Sequence, residues 1–179
     1  MDRVRSTRVK GLALGLRRCG WVVCLGLSAC ATDYSKQPAP AVAAATVVRD
    51  SNFDARATYI GPLLRSTLHP DLFSTDWQTV TLRGFVDKKT GAIETQVYVE
   101  ITYGGAWRFY HSASFDGGAM RMLSILGRTV GSCSAYCDLT ETFAITLEDG
   151  ELRAASGGLR IRINSQAGVQ TMIDLPASY

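Results

Sequence analysis

The sequence predicts an all-β domain, mainly antiparallel, arranged as a β-sandwich or a small meander barrel with room for one short helix. Apolar residues alternate with polar ones along several segments, which is the pattern of strands with one buried face and one solvated face. Glycine-containing turns separate these segments and favour short connections between strands. Residues 50–179 are therefore expected to form a single antiparallel β domain.

The longest alternating segment, residues 92–103, directs Val97 and Ile101 to one face and Glu94 and Glu100 to the other. Such a segment predicts a strand that is buried on one side only. Together with the other alternating segments it gives six predicted strands, at residues 80–86, 92–103, 106–115, 142–147, 159–164 and 169–175.

Two segments leave the type of secondary structure open, and in a third the predicted buried face depends on strict alternation. Residues 58–76 fit either a strand followed by a loop or a short helix. Residues 120–129 also fit either a strand or a helix, and a strand is the favoured prediction. Within residues 106–115, strict alternation assigns His111 to the buried face and Tyr110 to the exposed face.

Residues 1–29 have the composition of an export signal. Basic residues are concentrated in residues 1–18, and the segment that follows, 20–29, contains no charge. This apolar run is too short to be a transmembrane helix, which needs about 20 apolar residues. Its end, Leu27-Ser28-Ala29-Cys30, resembles the lipobox of bacterial lipoproteins, in which the cysteine is acylated and becomes the new N-terminus. The resemblance covers residues 1–32 only, and no family is recognised for the folded domain.

The lipobox resemblance implies that Cys30 is lipidated and that the protein belongs to the cell envelope. Lipoproteins of this class carry three acyl chains, and two or more chains hold a protein stably on a membrane. Ala31 occupies the position where an aspartate would favour retention in the inner membrane. The resemblance therefore implies anchoring in the outer membrane, with the domain facing the periplasm.

Residues 30–49 are predicted to link this lipid anchor to the domain. The segment is rich in alanine and proline and shows no repeating apolar period, so it is interpreted as a flexible tether. A flexible segment of this length has a typical end-to-end distance of roughly 25 Å. The alternative is that residues 41–48 form a helix or an edge strand of the domain.

The charge of the chain argues against nucleic-acid binding. The full sequence contains 19 basic and 16 acidic residues, but six of the basic residues and one acidic residue lie in the predicted signal. Removing residues 1–29 leaves 13 basic and 15 acidic residues, so the remaining chain is slightly acidic. Binding of nucleic acid depends on clustered basic residues, which this composition does not supply.

Cys133 and Cys137 are expected to form a disulfide, because an oxidising periplasm favours paired thiols. In a straight strand their Cα atoms would lie about 13 Å apart, which is too far for a bridge. The disulfide therefore requires a tight turn between them. Inert free thiols, and redox or metal chemistry at this pair, are the alternatives.

The chain contains no recognisable catalytic or metal-binding motif, and no cofactor is predicted. The only histidines, His69 and His111, are too few for a typical zinc site with this cysteine spacing. The sequence also lacks the G-x-S-x-G and S-x-x-K motifs of hydrolases. A periplasmic hydrolase or redox enzyme that uses Cys133, Cys137 and His111 is therefore only the alternative function.

The favoured function is a non-enzymatic module for protein interaction or envelope assembly, with an envelope protein as its partner. Tyrosine and arginine are favoured at interface anchors, so those on the predicted polar faces could form one binding patch. Binding of a small ligand or a glycan between the sheets is a further alternative. The predicted patch consists of Tyr98, Arg108, Tyr110, Arg160 and Arg162.

Overall fold

The computed structural model describes residues 32–68, 76–116, 118, 120–133 and 137–179. The predicted signal peptide and the predicted lipidation site, Cys30, lie outside this part of the chain. Among the described residues, the helices are all too short or too polar to cross a bilayer.

The described residues form two antiparallel sheets. The first contains β1 (Val47–Arg49), β2 (Arg56–Ile60), β3 (Leu64–Thr67), β4 (Trp77–Asp87), β5 (Ile93–Gly104), β8 (Ser124–Cys133) and β9 (Cys137–Leu147). The second contains β6 (Tyr110–Phe115), β7 (Met120–Met122), β10 (Leu159–Ser165) and β11 (Gln170–Leu175). The helices are the 3-10 helix η1 (Tyr34–Lys36), α1 (Ala39–Ala45) and α2 (Asp149–Ala154).

The strand order of the first sheet is β1-β2-β4-β5-β9-β8, with β3 also pairing with β4, and that of the second is β11-β10-β6-β7. The prediction of an all-β, mainly antiparallel fold is confirmed. Because the strands divide into two separate sheets, the architecture is a sandwich and not the small barrel that the sequence left open. The segment of residues 120–129, expected to be a strand, forms β7 and part of β8.

The core lies between the sheets and is built from the faces that alternation identified. On β5, Val97, Val99, Ile101 and Tyr103 are fully buried, and each is separated from the next by a residue on the outer face. Phe143 and Ile145 on the neighbouring β9 pack in the same cluster as Ile161 on the second sheet. Burial of one face of each sheet is the main source of stability in such a fold.

The predicted tether is corrected for residues 34–49, which form η1, α1 and β1. Strand β1 pairs with β2, with Val47 opposite Ile60 and Arg49 opposite Thr58. Val42 of α1 is only 5% exposed. The alternative of a helix and an edge strand is therefore correct, because α1 buries an apolar side chain and the β-branched residues that follow it pair with an open strand edge.

A bulge in β6 overturns the predicted exposure of Tyr110. Ala113 pairs with Ile163 and Ser112 with Asn164, but Tyr110 pairs with Ser165, so His111 has no partner in β10. The extra residue reverses the alternation and turns Tyr110 towards the core, where it is 0% exposed. His111 itself is half-buried.

The sandwich has two ends that position different side chains. At the η1 end, Ser35 lines a cavity together with Gly157, Gly158 and Pro176. At the opposite end, called the network end, β10 finishes where Ser165 pairs with Tyr110, and β5 finishes at Gly104. The strand rise of about 3.3 Å per residue puts Tyr103 about 26 Å from Thr95 along β5.

Candidate functional site

The five residues of the predicted binding patch do not form one surface. Tyr98 lies on the outer face of the first sheet, where the Arg83 guanidinium stacks 3.5 Å from its ring centroid. Arg160 and Arg162 lie on the outer face of the second sheet. Arg108 and Tyr110 meet each other at the network end, where the Arg108 Nη1 donates to the Tyr110 hydroxyl at 3.3 Å. The five residues thus lie in three places: Arg108 with Tyr110, Arg160 with Arg162, and Tyr98 apart from both pairs.

Arg160 and Arg162 line an open groove of about 460 Å³ on the second sheet. Arg160 donates to Asp174 at 2.7 Å, and both side chains are largely exposed. Asp116 also lines the groove, so its charges are mixed. An exposed pair of this kind contributes little binding energy or stability, and the groove has no defined ligand chemistry.

The most elaborate polar arrangement is a buried network around Glu141, which is only 1% exposed. The Arg128 Nε donates to the Glu141 carboxylate at 2.9 Å, and the Tyr103 hydroxyl donates to it as well. The backbone N–H groups of Phe109 and Tyr110 donate to it at 2.9 and 3.1 Å. Four donors therefore offset the desolvation of this carboxylate.

The same network continues from Tyr103 to the second sheet. The backbone N–H of Arg108 donates to the Tyr103 hydroxyl at 3.0 Å, and the Arg108 guanidinium pairs with Asp76. The Tyr110 and Thr171 hydroxyls are hydrogen-bonded at 2.7 Å. Burial raises the pKa of Tyr103, so this hydroxyl stays protonated and keeps donating to Glu141. The network ties the first sheet, the β5–β6 crossover and the second sheet together.

Among the described residues, Phe109 is the one non-glycine residue with a positive φ, which is 53°. This left-handed conformation is unfavourable for a bulky residue. It turns the crossover so that two successive N–H groups point at the Glu141 carboxylate. The cost of the conformation is offset by hydrogen bonds to a charged acceptor, and every member of the network has a partner. The arrangement therefore fits a structural tie better than a catalytic group that must exchange protons with a substrate.

The predicted disulfide between Cys133 and Cys137 is present, with the Cα atoms 4.0 Å apart. The two residues pair with each other where β8 meets β9, so the bridge closes the hairpin. The close approach of the two cysteines that the disulfide requires is thus confirmed. Because both sulfurs are bonded, neither is a free nucleophile for the enzyme that was the alternative function.

His111 was the third residue of that alternative enzyme. Its Nδ1 is buried without a hydrogen-bond partner.

Metal binding finds no support in the described part of the chain, where no three histidine, cysteine or acidic side chains are grouped to hold an ion. A cavity of about 220 Å³ lies beside α1 and is lined by Val42, Tyr59, Leu82, Leu152 and Tyr179, among others. This volume is below the range of about 300–1,000 Å³ typical of small-molecule sites. The small volume of this cavity therefore does not support the alternative of a ligand bound between the sheets.

A group of exposed apolar side chains on β7 and β8, here called the apolar edge, is the feature that sequence reasoning missed. Strands β7 and β8 end the two sheets on the same side of the sandwich. The apolar edge carries the following exposed side chains: Met120 at 68%, Met122 at 71%, Ile125 at 43%, Leu126 at 55% and Val130 at 58%. The available signal was the apolar composition of residues 120–126, which was interpreted only as a strand.

The backbone of the apolar edge is also open. Strand β8 has ten residues and pairs only with β9 among the described strands. Ile125 and Val130 lie opposite Phe143 and Leu139, so they extend the core face of the first sheet to its edge. They remain exposed because the second sheet ends in the three-residue strand β7. A long, exposed and apolar edge strand is a template for pairing with another chain.

No family model, no curated protein and no solved structure matches this chain.

Proposed function

We propose that the protein is a non-enzymatic interaction module of the cell envelope, anchored by lipid on Cys30 in the outer membrane and facing the periplasm. The observation that carries the interaction role is the apolar edge. Natural sheets usually protect such edges with charges, prolines or a covering element. Here Ile125, Leu126 and Val130 are exposed on the same strand as the unpaired edge, and Met120 and Met122 are exposed on the preceding strand β7.

The charges of the apolar edge are already used within the domain. Arg128, the one charged residue of β8, pairs with Glu141 at 2.9 Å. Arg121, the one charged residue of β7, pairs with Glu148 and Glu151 at 3.0 and 2.7 Å. A partner therefore meets methyl groups, thioethers and backbone hydrogen-bonding groups rather than free charge.

A partner of matching chemistry is a protein that supplies an extended segment with apolar side chains at alternate positions. Such a segment adds a strand to β8, where backbone hydrogen bonds provide affinity and alternate side chains provide specificity. Met120 and Met122 of the preceding strand β7 lie opposite Ser114 and Ser112, and their flexible side chains add exposed apolar surface. The disulfide and the fully partnered network support the non-enzymatic side of the proposal, since both use chemically versatile groups for structure.

The test combines the anchor and the edge in the lipidated full chain. Mass spectrometry of the N-terminal peptide is expected to show acylation of Cys30. A photo-cross-linking residue at Leu126 in cells is expected to give one discrete adduct with an envelope protein. The same residue at Thr146, whose side chain is exposed on β9 beyond the residues that pair with β8, is the matched control and should give none.

A charge introduced at the edge provides the second arm of this test. Met122→Lys should abolish the adduct formed from position 126, because it places a solvated charge in the proposed contact. Thr146→Lys should leave the adduct unchanged. Equal adducts from positions 126 and 146, or insensitivity to Met122→Lys, would contradict the proposed edge, and an unmodified Cys30 would contradict the anchor.

A further inference from the structure

We propose that the domain rests directly on the bilayer with its η1 end against the lipid headgroups and its network end pointing away from the membrane. This inference rests on the proposed lipidation of Cys30. It adds an orientation and a contact surface to the proposed function, because a flexible tether would leave both undefined.

The length of chain between the anchor and the fold carries the argument. Tyr34 is four positions after Cys30, with three residues between them, and an extended chain covers at most about 3.6 Å per position. The Cα atom of Tyr34 therefore lies within about 14 Å of the acylated residue. Acyl chains of that residue enter the bilayer, so Tyr34 must lie close to the headgroups.

Residues 34–49 cannot lengthen this link without giving up their contacts with the domain. Tyr34 packs against the core cluster, and the Asp33 carboxylate accepts from the N–H of Ser35 at 3.1 Å. Val42 is buried beside Leu82 and Tyr179 in the α1 cavity. Val47 to Arg49 are held in the sheet by pairing with β2. These contacts remove the separation of roughly 25 Å between the domain and the lipid anchor that a flexible segment would allow.

The surface held at the bilayer follows from what surrounds η1. Ser35 shares a cavity with the turn at Gly157 and Gly158, with Arg160 and with Pro176. The charges at this end are mixed, since Lys36 pairs with Asp33 and Arg160 with Asp174. Contact with the headgroups is therefore imposed by the covalent anchor and should not depend on salt.

The network end is consequently displayed to the periplasm. The core length of β5, about 26 Å between Thr95 and Tyr103, separates the two ends. The disulfide-closed hairpin and the crossover at Phe109 lie at this distal end. The apolar edge runs between the two ends and stays open for a partner.

The orientation can be measured with a thiol label on the lipidated full chain. Cys133 and Cys137 are bonded to each other, and acylation occupies Cys30, so an introduced cysteine carries the label alone. Ser156→Cys marks the η1 end and Gln166→Cys the network end; both residues are exposed. The labelled proteins are placed in phosphatidylethanolamine and phosphatidylglycerol vesicles that contain a headgroup nitroxide lipid, which quenches only nearby fluorophores.

The label at position 156 is expected to lose most of its fluorescence at low and high salt, while the label at position 166 loses little. Insertion of about 20 glycine and serine residues after Ala31 restores a flexible reach of roughly 25 Å and should remove the difference. Equal quenching at both positions, or a difference unaffected by the insertion, would overturn the orientation. Mass spectrometry of the same samples separates this failure from that of the proposed anchor, because an unacylated Cys30 contradicts the proposed function itself.

Discussion

The two ends of the sandwich are held together by different kinds of interaction. At the network end, a buried carboxylate and two tyrosines form a connected set of hydrogen bonds, and a disulfide closes the neighbouring hairpin. At the η1 end, the packing of Val42 and Tyr179 and a few backbone contacts hold the N-terminal segment, and the ion pairs are exposed. The difference indicates that buried polar groups fix the network end in one geometry, whereas apolar packing holds the N-terminal segment in place at the η1 end.

The largest expected effect is at the centre of the network. Glu141→Ala leaves the Arg128 guanidinium, the Tyr103 hydroxyl and two backbone N–H groups without their buried acceptor. Breaking a buried charge network in this way costs about 3–5 kcal/mol in the free energy of unfolding. Urea denaturation measures the loss, and Thr146→Ala on the same strand should stay within about 0.5 kcal/mol. A loss near that of Thr146→Ala would mean that the network does not hold this end.

A smaller loss is expected from the disulfide beside the network. Replacing both Cys133 and Cys137 by serine releases a very short loop, for which the chain-entropy model gives about 2 kcal/mol. Reduction of the wild-type protein should lower the free energy of unfolding by the same amount. Reduction should have no effect on the double variant, and any effect there would assign the loss to another cause.

At the η1 end the effect of a single hydrogen-bonding group is expected to be smaller again. Tyr179 donates to the carbonyl of Pro62, and its hydroxyl also accepts from the N–H of Leu82 at 3.4 Å. Tyr179→Phe should cost about 1 kcal/mol, the usual net value of such bonds. Chemical denaturation at neutral pH measures it, and Tyr59→Phe, at a more exposed tyrosine beside the same cavity, is the control.

The two tyrosines also predict how each end responds to alkaline pH. Burial raises the pKa of Tyr179 to about 12, and it raises the pKa of Tyr103 as well. Between pH 10 and about 12 the unfolded chain releases these protons while the folded chain keeps them, so stability falls as pH rises. Tyr179→Phe should reduce the slope of stability against pH in this window. An unchanged slope would mean that Tyr179 ionises equally in both states.

The smallest effect is expected on the outer face of the second sheet. Arg160→Ala breaks the exposed pair with Asp174 and should change stability by less than about 0.5 kcal/mol. Asp174→Ala should give the same small change, and added salt should reduce any difference between wild type and variants because it screens an exposed pair. A loss comparable to that of Glu141→Ala would erase the contrast between an exposed pair and a buried network.

Regular alternation made most of the sheets predictable from sequence, and local irregularities explain what could not be predicted. Strand β5 follows a period of two from Thr95 to Ile101, so its buried face was identified correctly over that stretch, whereas Ile93 at the start of the strand is exposed and Thr102 near its end is buried. Strand β6 contains a bulge at His111, and one extra residue is enough to invert the faces and bury Tyr110. The segment containing α1 was misinterpreted because alanine and proline carry no apolar period, while its burial depends on a single residue, Val42.

The candidate site was less predictable because it depends on which strands end a sheet. Nothing in the composition of residues 120–133 indicates whether β8 is central or lies at an edge, and only pairing reveals it. The network was missed for a related reason. Glu141 occupies a position in β9 that alternation predicts to be buried, and its four donors come from three other parts of the chain.

The wide separation of these donors along the chain has a kinetic consequence. Tyr110 and Thr171 are 61 residues apart, and Tyr103 and Glu141 are 38 apart. Contacts this distant in sequence close large loops, which slows folding relative to proteins rich in local contacts. Until the two sheets dock, Glu141 lacks the N–H donors of Phe109 and Tyr110, and the core faces of both sheets stay exposed. The newly made chain therefore passes through a period of vulnerability to aggregation, and escort by a chaperone until the network closes would protect it.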